Sequence, residues 1–370
     1  MTDWSTLVVP ELAKLDPFAL GETLADVQAR HGLDEVVKLN WNENLFGPLP
    51  GVVEAVQDEL KNLSLYPEQV NTAFREEVAP YAGTVPGRIV PGHGTLALIG
   101  SLATAFLRPG DYAVVPALTY GLYAQLSAVR GATIERVPLR ELSLDLDAMA
   151  EAAREKSAKI VWICDPNNPT GSTIGREDWT RFLDDLPEGC VAVVDEAYID
   201  YLPAEQRVRR ELDVEDERSV VVLRSFSKFF GLAGLRLGYA IVDEALAVYL
   251  DMVDEPFNVN CAGLAAGRAC LRAGDAADRR RGEVAEARET LAQGLREAGA
   301  EPQPSAANFV LARVDVDDEE LAAGLAARGL LIRPGSDFGM PGYVRITVGP
   351  APLMRRVTGE LGEVRAALRG

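Results

Sequence analysis

The sequence predicts an α/β protein whose main sheet is mostly parallel and lies between helices. Short, nearly continuous apolar runs such as 160–164 and 191–194 alternate with longer segments of helical periodicity. Unbroken apolar runs are typical of strands that are buried on both faces. The pattern changes after Asn260, where a stretch of good helix formers without Pro extends over about 262–300 and predicts a long helical region.

The predicted elements follow one another along the chain. A polar segment to about residue 44 ends in a turn rich in Asn, Gly and Pro. Helical patterns near 51–62 and 71–82 come next, and a short apolar strand then leads into the turn Gly92–Thr95. Strands and helices that alternate in this way indicate a parallel sheet with helices on both faces.

The last part of the chain has a different pattern. Strand-like segments at 307–314 and 343–348 flank a helix-like segment at 318–328, and this order suits a small α+β domain. We therefore predict three parts: an N-terminal segment, 1–44, that packs on the small domain or on a dimer partner; a large domain, 45–262; and a small C-terminal domain, 263–370.

Composition and charge narrow the range of functions. The chain has 370 residues, of which 48% are hydrophobic, so sizeable cores are expected. Lys and Arg number 37 against 56 Asp and Glu, and the net charge of -19 argues against nucleic acid or an anionic membrane as a partner. The first thirty residues carry several acids and no sustained apolar core, so a cytoplasmic location is expected. The four cysteines lack zinc-type spacing, which predicts buried free thiols and no metal site.

Lys228 is the residue on which the functional prediction depends. It ends the run Ser225-Phe226-Ser227-Lys228 and is followed by a Gly-rich turn that leads to Arg236. An amine becomes a nucleophile when burial or a neighbouring cation keeps it unprotonated. Two hydroxyls and a guanidinium suit a phosphate ester, so the run predicts a Schiff-base lysine in a pyridoxal phosphate site. An exposed lysine in a Ser/Gly loop is the alternative for this run alone.

Two upstream strands end in polar residues that suit the same cofactor. The apolar run 191–194 leads into Asp195, whose carboxylate can pair with a protonated pyridine nitrogen; a helix N-cap is the alternative role. Tyr198 follows three residues later and can hydrogen-bond the ring hydroxyl. The run 160–164 leads into a turn rich in Pro and Asn, where Asn168 can donate to that hydroxyl and the Asn-Pro bond can be cis; taken singly, it is only a turn.

Together these motifs resemble fold-type I pyridoxal-phosphate aminotransferases, and within that superfamily most closely the histidinol-phosphate aminotransferases. The resemblance runs from about residue 38 to 349, in the family's order. It is specific for the cofactor and less so for the substrate. The matching motifs are Asn42-Glu43-Asn44, Leu65-Tyr66-Pro67, Pro166-Asn167-Asn168-Pro169-Thr170-Gly171, Asp195-Glu196-Ala197-Tyr198, Ser225-Phe226-Ser227-Lys228, Gly231-Leu232-Ala233-Gly234-Leu235-Arg236, Pro256-Phe257-Asn258-Val259-Asn260, Ala307-Asn308-Phe309 and Val344-Arg345-Ile346-Thr347-Val348-Gly349.

Further cofactor contacts follow from the residues and from the resemblance. The turn before a predicted helix directs the backbone amides of Gly94, Thr95 and Leu96 at an anion. The resemblance implies that these amides bind the cofactor phosphate, although Leu96 stands where the family carries an acid. It also implies that Tyr120 stacks on the cofactor ring, for which a core tyrosine is the alternative. Tyr66 would reach the cofactor phosphate of a neighbouring subunit, which implies a homodimer.

The resemblance implies an amine donor and a 2-oxo acid such as 2-oxoglutarate as substrates. Arg345, assisted by Arg333, would bind the substrate's anionic group, and Asn44 belongs to the same substrate set; a surface arginine is the alternative for Arg333. The expected reaction is transamination of histidinol phosphate, in histidine biosynthesis. Two departures from the family, Phe18 in place of a phosphate-binding tyrosine and Leu45 in place of a proline, keep an aromatic amino-acid aminotransferase open. A decarboxylase of a phosphorylated amino acid is the alternative from another class.

Overall fold

The structure is a computed structural model that describes residues 2–15, 22–69 and 71–370. Its helices are α1 Leu24–His31, α2 Val52–Glu59, α3 Thr72–Ala82, α4 Gly94–Phe106, α5 Leu122–Val129, α6 Leu146–Lys156, α7 Arg176–Asp185, α8 Arg210–Glu215, α9 Glu244–Val253, α10 Cys261–Leu271, α11 Gly274–Glu297, α12 Asp318–Ala326 and α13 Ala351–Arg369. Its strands are β1 Val37–Lys38, β2 Ile89–Gly92, β3 Tyr112–Pro116, β4 Thr133–Val137, β5 Ile160–Cys164, β6 Val191–Asp195, β7 Val220–Ser225, β8 Gly238–Ile241, β9 Glu301–Pro302, β10 Phe309–Arg313, β11 Leu330–Leu331, β12 Arg333–Pro334 and β13 Tyr343–Thr347.

The main sheet has seven strands in the order β2-β8-β7-β6-β5-β3-β4. The strand β8 runs antiparallel to both of its neighbours, whereas the pairs from β7 through β6, β5 and β3 to β4 are parallel. The carboxyl ends of β2, β7, β6, β5 and β3 therefore meet at one edge. This arrangement confirms the predicted α/β class with a mostly parallel sheet.

Helices cover both faces of this sheet, which explains why its central strands are apolar at every position. Val193 packs in one hydrophobic core and Val194 in another, because successive side chains of a strand point to opposite faces. Trp162 and Ile163 on β5 divide in the same way. Polar residues appear only where each strand leaves the core, and this places them at the edge of the sheet.

A second, four-stranded antiparallel sheet has the order β12-β13-β10-β9. The helices α11 and α13 pack on one another, and α11 also contacts β10. The strand β1 pairs in parallel with β11, so the chain before residue 44 is joined to the C-terminal part. The domain limits at residues 44 and 262 stay a prediction.

The predicted helical stretch over 262–300 is two helices. The helix α10 begins after Asn260, whose side chain accepts from the backbone N–H of Gly263 at 2.7 Å, and it packs on α2 and α3. At Ala273 the chain turns, and α11 then packs on α13 instead. Ala, Arg and Glu favour helix whichever way the helix runs. The composition of 262–300 therefore did not indicate where one helix ends and the next begins.

Two smaller predictions concern thiols and membranes. All four cysteines are free, and Cys164, Cys190 and Cys270 are buried, whereas Cys261 is only half-buried. Within the described parts of the chain, no helix combines the length and apolar character needed to span a bilayer.

Candidate active site

The candidate site lies at the edge where the parallel strands end. Asp195 is the last residue of β6, Asn168 follows β5, and Lys228 follows β7. The strands β5, β6 and β7 are neighbours in the sheet. The structure thus brings together three residues that are up to 60 positions apart in the sequence, because the carboxyl ends of adjacent parallel strands share one edge.

Lys228 is half-buried and held by the backbone of a distant segment. Its Nζ donates to the carbonyl oxygen of Trp41 at 3.0 Å. Burial, and next the positive charge of Arg345, lowers the pKa of the Lys228 amine to about 8. An amine with this pKa is available as a nucleophile near neutral pH.

Asp195 is buried, with 4% of its surface exposed. Burial raises the pKa of its carboxyl to about 6, although two donors oppose the effect. These are the Tyr123 hydroxyl at 2.8 Å and the backbone N–H of Ala197 at 3.0 Å. Tyr123 escaped the sequence analysis, since its partner lies 72 residues away and no motif connects them.

An anion cradle is formed by the N-terminus of α4 and by Arg236. Gly94 begins the helix with φ +72, and a Cβ at this position would collide with the Arg236 guanidinium. A Cβ on Gly238 would lie 2.8 Å from the backbone N of Thr95, so both glycines are needed for the close approach. The first N–H groups of a helix have no intrahelical partner, and with Arg236 beside them they suit a phosphate.

The residues that were predicted to bind the phosphate differ in their contacts with this cradle. Ser227 Oγ accepts from Arg236 Nη1 at 3.4 Å, whereas Ser225 Oγ accepts from the backbone N–H of Ser227 at 3.0 Å. Thr95 and Leu96 lie in the first turn of α4 and are half-buried. His93 precedes the helix as an exposed N-cap residue without a side-chain capping bond.

Aromatic residues surround the same edge. Tyr198 is 4% exposed, and its ring centroid lies 6.0 Å from Lys228 Nζ. Tyr120 packs edge-on against Tyr123 with ring centroids 5.4 Å apart, and burial, and next the charge of Asp195, raises the pKa of the Tyr120 hydroxyl to about 12. Tyr66 has another environment, because 81% of its surface is exposed and it stacks on Phe257 with centroids 4.7 Å apart.

Two arginines stand opposite each other beside the site. Arg345 on β13 pairs with Arg333 on β12. The Nε of Arg345 is buried without a hydrogen-bond partner, whereas the Nε of Arg333 lies 3.3 Å from Asp337 Oδ2. Arg345 donates from Nη1 to Asn168 Oδ1 and from Nη2 to the Asn40 carbonyl, each at 2.6 Å. Burial lowers the pKa of Arg345 to about 10. Like charges that face each other across a strand pair are unfavourable, so this pair suits a bound anion.

The segment 40–44 runs between the two sheets, and we call it the strap. Its carbonyls at Asn40 and Trp41 accept from Arg345 and Lys228. Asn44 Nδ2 donates to the Phe229 carbonyl at 2.6 Å, and its Oδ1 accepts from the backbone N–H of Phe46. Both bonds join Asn44 to other parts of the protein and neither involves a ligand. Its predicted role in substrate binding therefore stays a proposal.

A buried cluster of charged side chains connects the ends of strands β5, β6 and β7. Arg210 is fully buried and contacts Asp165 and Glu196, with 2.8 Å from its Nη1 to Glu196 Oε1. Arg224 donates from Nε to the other Glu196 oxygen at 2.9 Å and from Nη2 to Glu211 at 3.4 Å. Sequence reasoning missed this cluster, although charged residues recur at the ends of apolar strands, at positions 165, 196 and 224.

A model of the family described as aminotransferase class I and II matches residues 34–361. The chain belongs to this family. Its expected class of enzyme, a transferase of amino groups, is thereby confirmed. Aminotransferases act on an amine donor and a 2-oxo acid.

Relatives of this aminotransferase cover nearly its whole length. The histidinol-phosphate aminotransferase of Brevibacillus brevis is 33% identical over 344 residues, which are 93% of this chain and 94% of the relative. The enzyme of the same name from Symbiobacterium thermophilum is 36% identical over 345 residues, again 93% and 94% of the two chains.

Solved structures share the fold. Histidinol-phosphate aminotransferase from Sinorhizobium meliloti, in complex with pyridoxal 5'-phosphate, superposes with a TM-score of 0.90 at 27% identity and covers 98% of both chains. L-threonine-O-3-phosphate decarboxylase from Porphyromonas gingivalis superposes with a TM-score of 0.78 at 23% identity over 89% of this chain and 99% of the other. The second likeness shows the fold alone, which confirms the predicted fold type.

The residues of this aminotransferase fit pyridoxal phosphate. The N-terminus of α4 with Arg236 forms a cradle that a Cβ would fill, which suits the phosphate. Asp195 offers a buried carboxylate for the pyridine nitrogen, and Lys228 offers an amine of lowered pKa for the aldehyde. The cradle after β2, Lys228 after β7 and Asp195 on β6 lie along one edge of the sheet.

Proposed function

We propose that this aminotransferase transfers the amino group of L-histidinol phosphate to 2-oxoglutarate, giving imidazole acetol phosphate and L-glutamate, with pyridoxal phosphate bound at Lys228. The observation that carries the proposal is the half-buried Lys228 amine in one site with Asp195 and with the facing pair Arg345 and Arg333. The buried Nε of Arg345 lacks a hydrogen-bond partner. The relatives at 33% and 36% identity support the substrate.

When bound, pyridoxal phosphate supplies an aldehyde for the amine and a ring that accepts an electron pair. Asp195 would keep the ring nitrogen protonated, since its carboxylate is held at the end of β6 by Tyr123. With its amine free, Lys228 Nζ would take a proton from the substrate carbon as general base and deliver it to the cofactor as general acid. Its lowered pKa, about 8, suits both directions of this transfer near neutral pH.

The arginine pair sets the requirement for an anion on the substrate. A phosphate or carboxylate that pairs with Arg345 and Arg333 gives the unpaired Nε of Arg345 an acceptor and relieves the repulsion between the guanidiniums. Asn168 orients Arg345 from the cofactor side through its Oδ1. The Phe18 departure lies outside the described residues. Leu45 packs against the main core, so its side chain serves the fold.

A substrate panel tests the proposal. We expect histidinol phosphate to exceed phenylalanine and tyrosine in kcat/KM with 2-oxoglutarate. A preference of ten-fold or more for an aromatic amino acid would favour the second aminotransferase assignment. Carbon dioxide release without 2-oxoglutarate would favour a decarboxylase.

Two variants test the roles of the residues. Lys228→Ala should abolish both turnover and the absorption band of the lysine-linked cofactor.

Arg345→Lys keeps the charge and loses the planar fork, so we expect a rise in KM for histidinol phosphate of about ten-fold or more. An unchanged KM would remove Arg345 from the substrate site.

We also propose that the active unit is a homodimer in which Tyr66 reaches the neighbouring cofactor phosphate. The 81% exposure of Tyr66 and its stacking on Phe257 support a ring that is presented outward. Val248, Tyr249 and Met252 on α9 add exposed apolar surface, which a second copy would cover. A cytoplasmic location stays a prediction that cell fractionation can test.

A further inference from the structure

Asn42 of the strap is a buried asparagine that the predicted chemistry does not use. Only 1% of its surface is exposed, and its backbone has φ +56, in the left-handed region that Asn tolerates better than most residues. Its backbone N–H donates to Thr347 Oγ1 at 3.0 Å, and its carbonyl accepts from Asn308 Nδ2 at 3.0 Å. Both partners belong to the C-terminal part of the chain, so Asn42 is fixed from that side.

The side chain of Asn42 instead contacts Tyr198, which follows β6 of the main sheet. Its Nδ2 donates to the Tyr198 hydroxyl at 3.1 Å. Thr347 Oγ1 gives its own hydrogen to the Leu39 carbonyl at 2.7 Å, so it receives the backbone N–H of Asn42. In this arrangement the amide nitrogen of Asn42 donates toward Tyr198, while its Oδ1 lies 3.4 Å from Thr347 Oγ1, so Tyr198 is left with its hydroxyl hydrogen to give.

A tyrosine hydroxyl has one hydrogen and can also accept. When a donor occupies the accepting side, the hydrogen turns toward another acceptor, and the hydroxyl becomes a stronger donor because the bonds in a chain polarise one another. On the site side of Tyr198, the ring oxygen of the proposed cofactor would be the acceptor.

We propose that Asn42 is a positioning residue that makes Tyr198 a hydrogen-bond donor to the cofactor's ring oxygen and links this bond to the C-terminal sheet through Thr347 and Asn308. The inference rests on the proposed cofactor. It goes beyond it by assigning the electronic state of the ring oxygen to a residue that does not itself touch the ring.

The consequence is measurable in the resting enzyme. A donor to the ring oxygen stabilises the form with more negative charge on that oxygen, so it favours loss of the proton from the lysine-linked nitrogen. Asn42→Gly removes the amide while the left-handed backbone costs glycine nothing. We expect the spectroscopic pKa of the lysine-linked cofactor to rise by about half a unit.

Asn42→Asp offers an acceptor in place of the donor and keeps the size of the side chain. The Tyr198 hydrogen should then turn to the carboxylate, so we expect a larger rise in that pKa, by about one unit or more. Asn71→Gly is the matched control, because Asn71 is also buried, at 6% exposure, and left-handed, with φ 52, but lies at the N-cap position of α3 and does not contact Tyr198. It should leave the spectroscopic pKa unchanged.

A double-mutant cycle with Tyr198→Phe decides whether Asn42 acts through Tyr198. In the Tyr198→Phe background, Asn42→Gly should add no further shift. A shift of the same size in both backgrounds, or none in the single variant, would overturn the proposal. The proposed function is tested separately, since a lysine-dependent absorption band in all these variants supports the cofactor whatever the size of the shift.

Discussion

Burial moves the pKa values of Lys228 and Asp195 toward each other, to about 8 and about 6. With a pKa of about 8, the lysine is neutral in roughly one molecule in ten at pH 7, far more often than an exposed lysine. The carboxyl of Asp195 remains mostly ionised at the same pH. One pH range therefore supports both a nucleophilic amine and a carboxylate that can hold a ring proton.

The lowered pKa of Lys228 predicts how the stability of the cofactor-free protein changes with pH. The folded-state value of about 8 lies below the ordinary 10.5, so between these values the unfolded chain binds more protons. The free energy of unfolding should therefore rise with pH in this window, by up to about 3 kcal/mol from this group. Urea unfolding at pH 7.5 and pH 10 measures the rise.

Lys228→Met should lack this contribution, whereas Lys14→Met, at an exposed position, should keep it. If the stability difference between wild type and Lys228→Met were the same at both pH values, burial would not perturb the amine as described.

At the scale of elements, the ionic cluster below the site joins the ends of three strands. Asp165 follows β5, Glu196 follows β6, and Arg224 belongs to β7, while Arg210 on α8 bridges the first two. A buried ion pair adds little net stability compared with apolar packing, but the loss of one partner leaves a charge without compensation. The cluster therefore fixes the relative positions of the site loops more than it stabilises the fold.

Arg210→Met should destabilise the protein by about 3–5 kcal/mol, since Asp165 then lies buried without its cation. Arg218→Met is the control, because Arg218 pairs with Asp184 at the surface and should cost less than about 1 kcal/mol. Adding Asp165→Asn to Arg210→Met should recover part of the loss. Denaturant melts of the four proteins measure these differences, and equal effects at positions 210 and 218 would contradict the interpretation.

Gly94→Ala tests the phosphate cradle at the start of α4. The new methyl group would meet the Arg236 guanidinium, so the affinity for pyridoxal phosphate should fall about ten-fold or more. Gly110→Ala is the matched control, because Gly110 has φ +94 with open space around it and therefore adds only backbone strain. Titration of the cofactor-free variants by absorbance distinguishes them. A similar loss of affinity in both would attribute the effect to strain.

The sequence predicted those site residues that follow apolar strands, and the reason is geometric. Lys228, Asp195 and Asn168 could be placed at one edge because parallel strands share the edge at which they end. Tyr123 and Arg210 could not, because they come from helices whose packing depends on contacts distant in sequence. Trp41 acts through its carbonyl, and a backbone group leaves no trace in the residue type.

At the scale of the whole molecule, the strap joins the two sheets across the site. Its residues bond to Arg345 and Thr347 on one side and to Lys228 and Tyr198 on the other. A change in the relative position of the two sheets would therefore move the Lys228 amine even when no substrate is bound. In the proposed dimer, Tyr66 of the neighbouring subunit would contribute to the site in addition to the two sheets of this chain.

Co-expression of two defective subunits tests that contribution. Lys228→Ala lacks the amine and Tyr66→Ala lacks the ring, but a mixed dimer would hold one intact site. Random assortment should restore about a quarter of the wild-type activity. Activity no higher than the sum of the separately expressed variants would show that Tyr66 acts within its own subunit or not at all.

The bond between Lys228 and Trp41 has a practical consequence. When the amine is taken by the cofactor, a chromophore that absorbs in the near ultraviolet would form next to the backbone of Trp41, whose indole ring centroid lies 5.1 Å from Lys38 Nζ. The emission of this indole should be quenched by energy transfer as the holoenzyme forms, so the strap carries a built-in optical reporter of loading that needs neither substrate nor label.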